Sequence, residues 1–207
     1  MEDARLITLQ LGNGCSATAV SRGRSVDTSM GFTPLEGLMM GTRSGNVDPS
    51  LVGFLTRREG VDTAEVEGWL NKRSGLLGIS GTSRDVRELL DAEASGDGSA
   101  ALALEMFCES VRKQIGAYLT ILGGADAIVF GGGIGENAPL IRERVLTGMG
   151  WCGLDLDTAR NANAVGVESR ISAEDSKIHA YVVSVDEEIK IAKETARLLG
   201  ARANDSN

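Results

Sequence analysis

Between Leu6 and Ser21 apolar and polar residues largely alternate with a period of two, broken once at Gly12-Asn13-Gly14. That pattern predicts two half-buried strands, Leu6 to Leu11 and Cys15 to Ser21, joined as a hairpin, since an Asn-Gly pair between such runs suits a tight turn. Ser25 to Ser29 extends the meander. From Phe32 to Pro49 the period disappears and Pro34, Gly37, Gly41, Gly45 and Pro49 predict a loop. The spacing then changes to three and four. Amphipathic helices are predicted over 48–59, 63–73 and 84–94, with a glycine-rich turn before the last. Ala94 to Ser99 is small and polar and reads as an exposed connection. Leu104, Phe107, Val111, Ile115, Leu119 and Leu122 then mark one face of a long helix that stops at Gly123-Gly124.

The unbroken apolar run Ala127-Ile128-Val129-Phe130 predicts a buried strand ending in the loop Gly131 to Asn137, with a helix from Pro139 to Met149 behind it. Residues 153–176 are polar and irregular. The chain closes with a strand from Ile178 to Val185, a helix from Asp186 to Leu199, and a frayed tail from Ala203. This order predicts an α/β fold: a mixed sheet with flanking helices, because the early antiparallel hairpin does not belong to a purely doubly wound sheet. The 207 residues are read as one domain.

Composition narrows the function. Hydrophobic residues at 42% and charged residues at 24% suit a protein that buries a sizeable core, but the 27 glycines are about twice the usual number. They gather in turns and at strand ends, where ligands bind in open α/β sheets and backbone must come close to them. A net charge of -8 argues against nucleic acid, which basic patches bind. Arg57, Arg58, Lys72 and Arg73 lie among glutamates and read as a solvated face. Three scattered cysteines without a C-x-x-C pair, no long apolar run and no leader point to a cytoplasmic protein with reduced thiols.

Several motifs resolve against their first appearance. Gly12 to Ala17 formally matches the dinucleotide pattern G-x-G-x-x-A, but the pattern must open a helix and here it opens a strand. No Gly-Lys pair exists, so a P-loop is excluded, and phosphate contacts must come from backbone N–H groups of glycine turns. His179, the one histidine, reads as a packed or edge residue of the closing strand, without the G-x-S-x-G elbow of a hydrolase. Glu187 and Glu188 open the last helix, where acidic residues suit the positive end of the macrodipole.

Leu11-Gly12-Asn13-Gly14, Thr28 to Leu38 (TSMGFTPLEGL), Met40-Gly41-Thr42-Arg43-Ser44-Gly45 and Gly133-Ile134-Gly135-Glu136-Asn137 resemble acetate kinase in order and spacing, over residues 5–200. The resemblance implies the acetate and sugar kinase/actin superfamily fold, related to ribonuclease H. It also implies transfer of the ATP γ-phosphoryl group to acetate, giving acetyl phosphate and ADP, with Mg2+ and as a homodimer. By the same resemblance Arg43 stabilises the transferring phosphoryl group. Gln10, Leu11, Gly12, Asn13 and Gly14 bind nucleotide, as do Asp85, Val86 and Arg87 and the stretch from Gly133 to Asn137. Glu187 helps hold magnesium through its hydration shell, with Asp186 and Glu188 as alternatives. Two departures stand out. Gln10 occupies a position where the family usually has histidine. The chain also starts where the family's second half starts, so the first domain, with its acetate pocket and catalytic aspartate, is expected to be missing and the chain inactive alone. A propionate or butyrate kinase relative, and a non-catalytic nucleotide-binding or dimerisation module, are the alternatives.

Overall fold

The computed structural model describes residues 3–185, 189 and 191–197. Strands β1 (Arg5–Leu11), β2 (Cys15–Ser21) and β3 (Arg24–Thr28) form the expected antiparallel meander. β4 (Ala127–Gly131) and β6 (His179–Val182) add in parallel beside β1, and the two-residue β5 (Ser169–Arg170) closes the far side antiparallel. The sheet order is β3-β2-β1-β4-β6-β5, so the mixed sheet predicted from the sequence is the one formed. The pairing of β1 with β4 sets Gln10 opposite Gly131. Two glycine turns far apart in sequence therefore leave the same edge of the sheet side by side.

One face of the sheet carries the core. Ile7, Leu9 and Leu11 of β1 and Cys15, Ala17 and Ala19 of β2 are buried, while their even-numbered neighbours are half-buried. The small alanines let the long helix α5 (Gly98–Leu122) approach closely, and the Tyr118 hydroxyl donates to the Ala17 carbonyl at 3.3 Å. α5 buries Leu104, Phe107, Val111, Ile115 and Leu119 as their spacing predicts, and Gly123 ends it in the left-handed region. It starts earlier than the sequence suggests. Asp97 accepts from the Ser99 and Ala100 N–H groups, and this cap with the alanines after it outweighs the glycine at 98.

The helices α1 (Ser50–Glu59), α2 (Thr63–Lys72) and α4 (Val86–Ala94) match expectation. Between them, the segment read as a glycine-rich turn forms the short helix α3 (Gly75–Ser80). Its first turn is held from outside: the Leu76 and Leu77 N–H groups donate to the carbonyls of Met40 and Gly41 at 2.9 Å each. Gly75 has φ +61°, and a Cβ there would lie 2.1 Å from the Met40 carbonyl oxygen, so only glycine fits.

The stretch 131–137, read as a loop, is also partly helical. β4 runs through Gly131, and Gly132–Asn137 coils into α6, followed by α7 (Pro139–Leu146) and a 3₁₀ turn at Met149–Cys152. α8 (Thr158–Asn163) lies within the segment read as irregular. β6 sits inside the sheet between β4 and β5, so His179 is a packed residue and not an edge one. It pairs with Ala127, at the amino end of β4. The predicted helix from Asp186 lies largely outside the described residues, of which 191–197 are helical.

Arg142 of α7 binds these pieces together. It is fully buried, and no described carboxylate pairs with it. Its Nη1 donates to the Gly135 and Glu136 carbonyls at 2.8 and 3.1 Å. Nη2 donates to the Asn161 and Ala164 carbonyls at 2.8 and 2.7 Å, and Nε to Asn161 Oδ1 at 2.9 Å. The charge rests against carbonyls at the ends of α6 and α8, the electronegative ends of those turns. Burial pushes the guanidinium down to about 10, which leaves it protonated at neutral pH. Arg142→Met keeps the bulk and strands five acceptors. It is expected to cost about 3 kcal/mol or more, read as a lower midpoint in urea unfolding. A loss below about 1 kcal/mol would show that the carbonyls find other partners.

Candidate active site

A cavity of about 560 Å³ opens at the carboxyl edge of β1 and β4. Gly12 and Asn13, from the β1–β2 turn, form one wall. Gly133, Ile134, Asn137 and Ala138 form a second, and Arg84, Asp85, Val86 and Arg87 at the start of α4 form the third. All three stretches that the resemblance assigns to nucleotide thus border one space.

Each wall is fixed from behind. In the first, the Gly12 N–H donates to the Gly14 carbonyl at 3.1 Å and Cys15 Sγ donates to the Gly12 carbonyl at 3.2 Å. Burial of that thiol pushes its pKa up to about 12, so it serves as a neutral brace under the turn. The turn is a three-residue loop between Leu11 and Cys15. In the second wall, Gly132 has φ +77°, and a Cβ would lie 2.6 Å from the Leu11 carbonyl oxygen. The glycine turn is pressed onto the end of β1.

The predicted residues of this wall divide into two kinds. Gly133, Ile134 and Asn137 border the cavity, whereas Glu136 turns back into the protein. Its Oε1 accepts from the Gly132 N–H at 3.0 Å and from the Val185 N–H at 3.1 Å. The carboxylate thereby ties the glycine turn to the chain just before position 186. Gly135 is buried against Phe130 and Leu11. Gln10 and Leu11 lie behind the turn, with Leu11 fully buried and Gln10 Oε1 3.2 Å from the position a Cβ on Gly131 would take.

The third wall begins at a helix cap. Asp85 Oδ1 accepts from the Arg87 N–H at 2.9 Å, and the Arg87 guanidinium grips the same carboxylate in a fork at 2.6 and 3.1 Å. That grip, the side-chain bonds first and the backbone bond second, holds the Asp85 carboxyl below its ordinary value.

Arg43 occupies a neighbouring cavity of about 480 Å³ that shares Asn13 with the cleft. Its loop is stitched on three sides. The Gly41 N–H donates to the Asn13 carbonyl at 3.1 Å, the Ser44 N–H to the Leu70 carbonyl at 2.9 Å, and the Thr42 hydroxyl to the Asn71 carbonyl at 3.0 Å. The guanidinium is half-buried, yet its contacts are weak: the Pro34 carbonyl at 3.4 Å and Met40 Sδ at 3.6 Å. No carboxylate pairs with it among the described residues. A cation on a fixed backbone, met by no described carboxylate, is suited to an anion from outside.

Glu187 lies outside the described residues. Among the described residues there is no group of three His, Cys, Asp or Glu side chains able to hold a metal, and no helix long and apolar enough to cross a membrane. Asp85, the described carboxylate that borders the cleft, is committed to Arg87, and Glu136 behind the wall to two backbone N–H groups.

A glycine-walled cleft thus lies at parallel strand ends, with an arginine beyond it. The chain belongs to the acetokinase family, whose sequence model matches residues 1–193. It is 51% identical over 199 residues to the acetate kinase of Solibacter usitatus, covering 96% of this chain and 48% of that one. It is 50% identical over 198 residues to that of Methanosarcina thermophila, covering 96% and 48%. The crystal structure of Porphyromonas gingivalis acetate kinase superposes with a TM-score of 0.91 at 44% identity, over 96% of this chain and 50% of that one. A propionate kinase structure from Francisella tularensis gives 0.87 at 43%, over 94% and 49%. The chain is an acetate kinase homologue and spans about half the length of the curated relatives it matches.

The Asp85–Arg87 fork has a measurable consequence. A folded-state pKa below the unfolded value near 3.9 contributes stability that is present above that value and lost as pH falls through the folded one. Asp85 is one-third exposed, so the contribution is small. The carboxyl should titrate below its ordinary range by NMR in the parent chain and rise part of the way back in Arg87→Ala, where the backbone N–H bond of the cap remains. An unchanged midpoint would exclude the fork as the cause.

Proposed function

We propose that this chain is the nucleotide-binding half of a kinase that transfers the ATP γ-phosphoryl group to acetate, acting in the cytoplasm. The observation that carries the proposal is the meeting of Gly12–Asn13, Asp85–Arg87 and Gly133–Asn137 around one cavity, with the uncompensated Arg43 in the adjoining space. The cleft presents few side chains, and its turns offer backbone N–H groups to phosphates. The space between the Gly133 and Asp85 walls is left for the nucleoside.

Phosphoryl transfer asks for positioning and charge neutralisation more than for covalent chemistry. Arg43 supplies the second. Its planar fork can span two phosphoryl oxygens as charge spreads over them. The stitched loop fixes the backbone that carries the fork before substrate arrives, which limits what is reorganised during transfer. Asn13, on both cavities, lies where the phosphate chain passes from one to the other. Magnesium, when bound, neutralises the phosphate oxygens. A hydrated ion carried by the phosphates with one outer carboxylate fits a cleft whose described carboxylate is committed. Glu187 is the residue proposed for that carboxylate, and the Glu136–Val185 bond ties the chain leading to it beside the glycine turn.

Two experiments test the reading. Calorimetry with millimolar MgADP should show weak, saturable binding, and an absence of both heat and thermal shift would sink it. With a complementary first half from a relative supplied, Arg43→Ala should lower turnover roughly a thousandfold while MgADP affinity changes far less. A variant within tenfold of the parent would make Arg43 a structural residue. We also propose a homodimer, and sedimentation at several concentrations decides it: a constant mass of 21.7 kDa would refute pairing.

A further inference from the structure

We propose that the outer face of α5 is where a second copy of this chain docks, its own α5 lying antiparallel across a two-fold axis. The inference rests on the homodimer reading and deepens it by assigning the face that pairs. α5 runs for 25 residues, about 37 Å, and its inner side is spent on the core. Its outer side carries Leu102, 50% exposed, Met106, 39% exposed, and Ile121, 53% exposed.

Between these apolar ends stand four exposed charges sorted by sign: Glu105 and Glu109 come first, Arg112 and Lys113 follow. Glu109 and Lys113 pair along the helix at 2.9 Å, the ordinary support of an i,i+4 pair. Glu105 and Arg112 have no ion-pair partner among the described residues. A solvated face accounts for charges but not for their order. Antiparallel apposition about the turn from Glu109 to Lys113 brings the acidic stretch of one copy level with the basic stretch of the other, twice over by symmetry. It also sets Leu102 of one copy toward the Ile121 end of the other. A two-fold contact must be its own complement, and this pattern is. A partner of uniform charge would be attracted by half of the face and repelled by the other half. Two chains of net charge -8 repel at a distance, so the attraction that joins them has to be local.

The ridge has a hollow on each flank, into which side chains of a facing helix can interdigitate. One, of about 450 Å³, has Glu93 of α4 and Arg144 of α7 opposite α5. That wall is fixed, because Arg144 grips Glu93 in a fork at 2.7 and 3.1 Å. The other hollow, of about 280 Å³, has Met39, Ser44 and Asn46 opposite Met106 and Lys113. Met39 and Ser44 bracket Arg43 in sequence, so a docked copy covers the outer side of the loop that holds it.

The test uses two charge-reversed chains. Glu105→Lys with Glu109→Lys makes the outer face of α5 all basic, and Arg112→Glu with Lys113→Glu makes it all acidic. The four positions are exposed, and the one ion pair lost is a surface pair of little worth. Sedimentation equilibrium of the full chains gives the dimer dissociation constant. Each variant alone is expected to pair at least about a hundredfold more weakly than the parent, and an equimolar mixture to recover the parent's affinity within about tenfold, as acidic meets basic again. If the parent is dimeric and the variants stay dimeric, the homodimer reading stands and this face is overturned. Variants that lose pairing and do not recover it on mixing overturn it as well. A monomeric parent overturns both readings. Should a double variant fail to fold by circular dichroism, Glu105→Arg and Arg112→Glu, which break no described ion pair, take the same roles in the mixing experiment.

Discussion

Parallel pairing of β1 with β4 is the constraint from which the site follows. It brings Gln10 level with Gly131, so the turn leaving one strand must pass the turn leaving the other. The passage is tight enough that a side chain at Gly132 would collide with the Leu11 carbonyl. A parallel neighbour cannot be supplied by a hairpin. The chain travels through all the helices up to α5 before it returns as β4, and α4 is delivered to the third side of the cleft on the way. The cavity is thus a by-product of how the sheet is threaded, lined by whatever the strand ends and helix starts expose.

Behind the lining lies a layer of charges that never reach the cavity. Glu136 looks inward to two N–H groups, and Arg142 fills the space beneath with five bonds to oxygen. They act on opposite ends of the same short turn: the carboxylate on its opening N–H, the guanidinium on its closing carbonyls. A six-residue helix has almost no stability of its own. These two side chains give Gly132–Asn137 a defined shape.

Much of the fold was legible because it rests on periodicity. The hairpin, the α5 face from Leu104 to Leu119 and the apolar 127–130 run follow from burial on one side, which sequence records directly. α3 and the early start of α5 were missed because their causes are local bonds: carbonyls of Met40 and Gly41 for one, the Asp97 cap for the other. For the site, the resemblance to acetate kinase named the stretches, and no pattern within them announced that they would meet. It did not separate Glu136, which braces, from Gly133 and Asn137, which face the cavity. Arg142 left no trace at all. An arginine in a helix reads as solvated, and its burial depends on the ends of α6 and α8, neither of which periodicity detects.

The Gly12–Gly14 and Gly133–Asn137 walls are largely main chain, and main chain cannot be deleted by substitution. Drift in sequence can change what surrounds a peptide N–H group but not the group itself. A lineage carrying this fold is therefore free to vary many residues that border the cleft, provided the residues beneath them hold the backbone in place. Comparison of diverging descendants should find the strictest positions one layer below the surface of the cleft. There, inheritance preserves a shape more than a set of contacts.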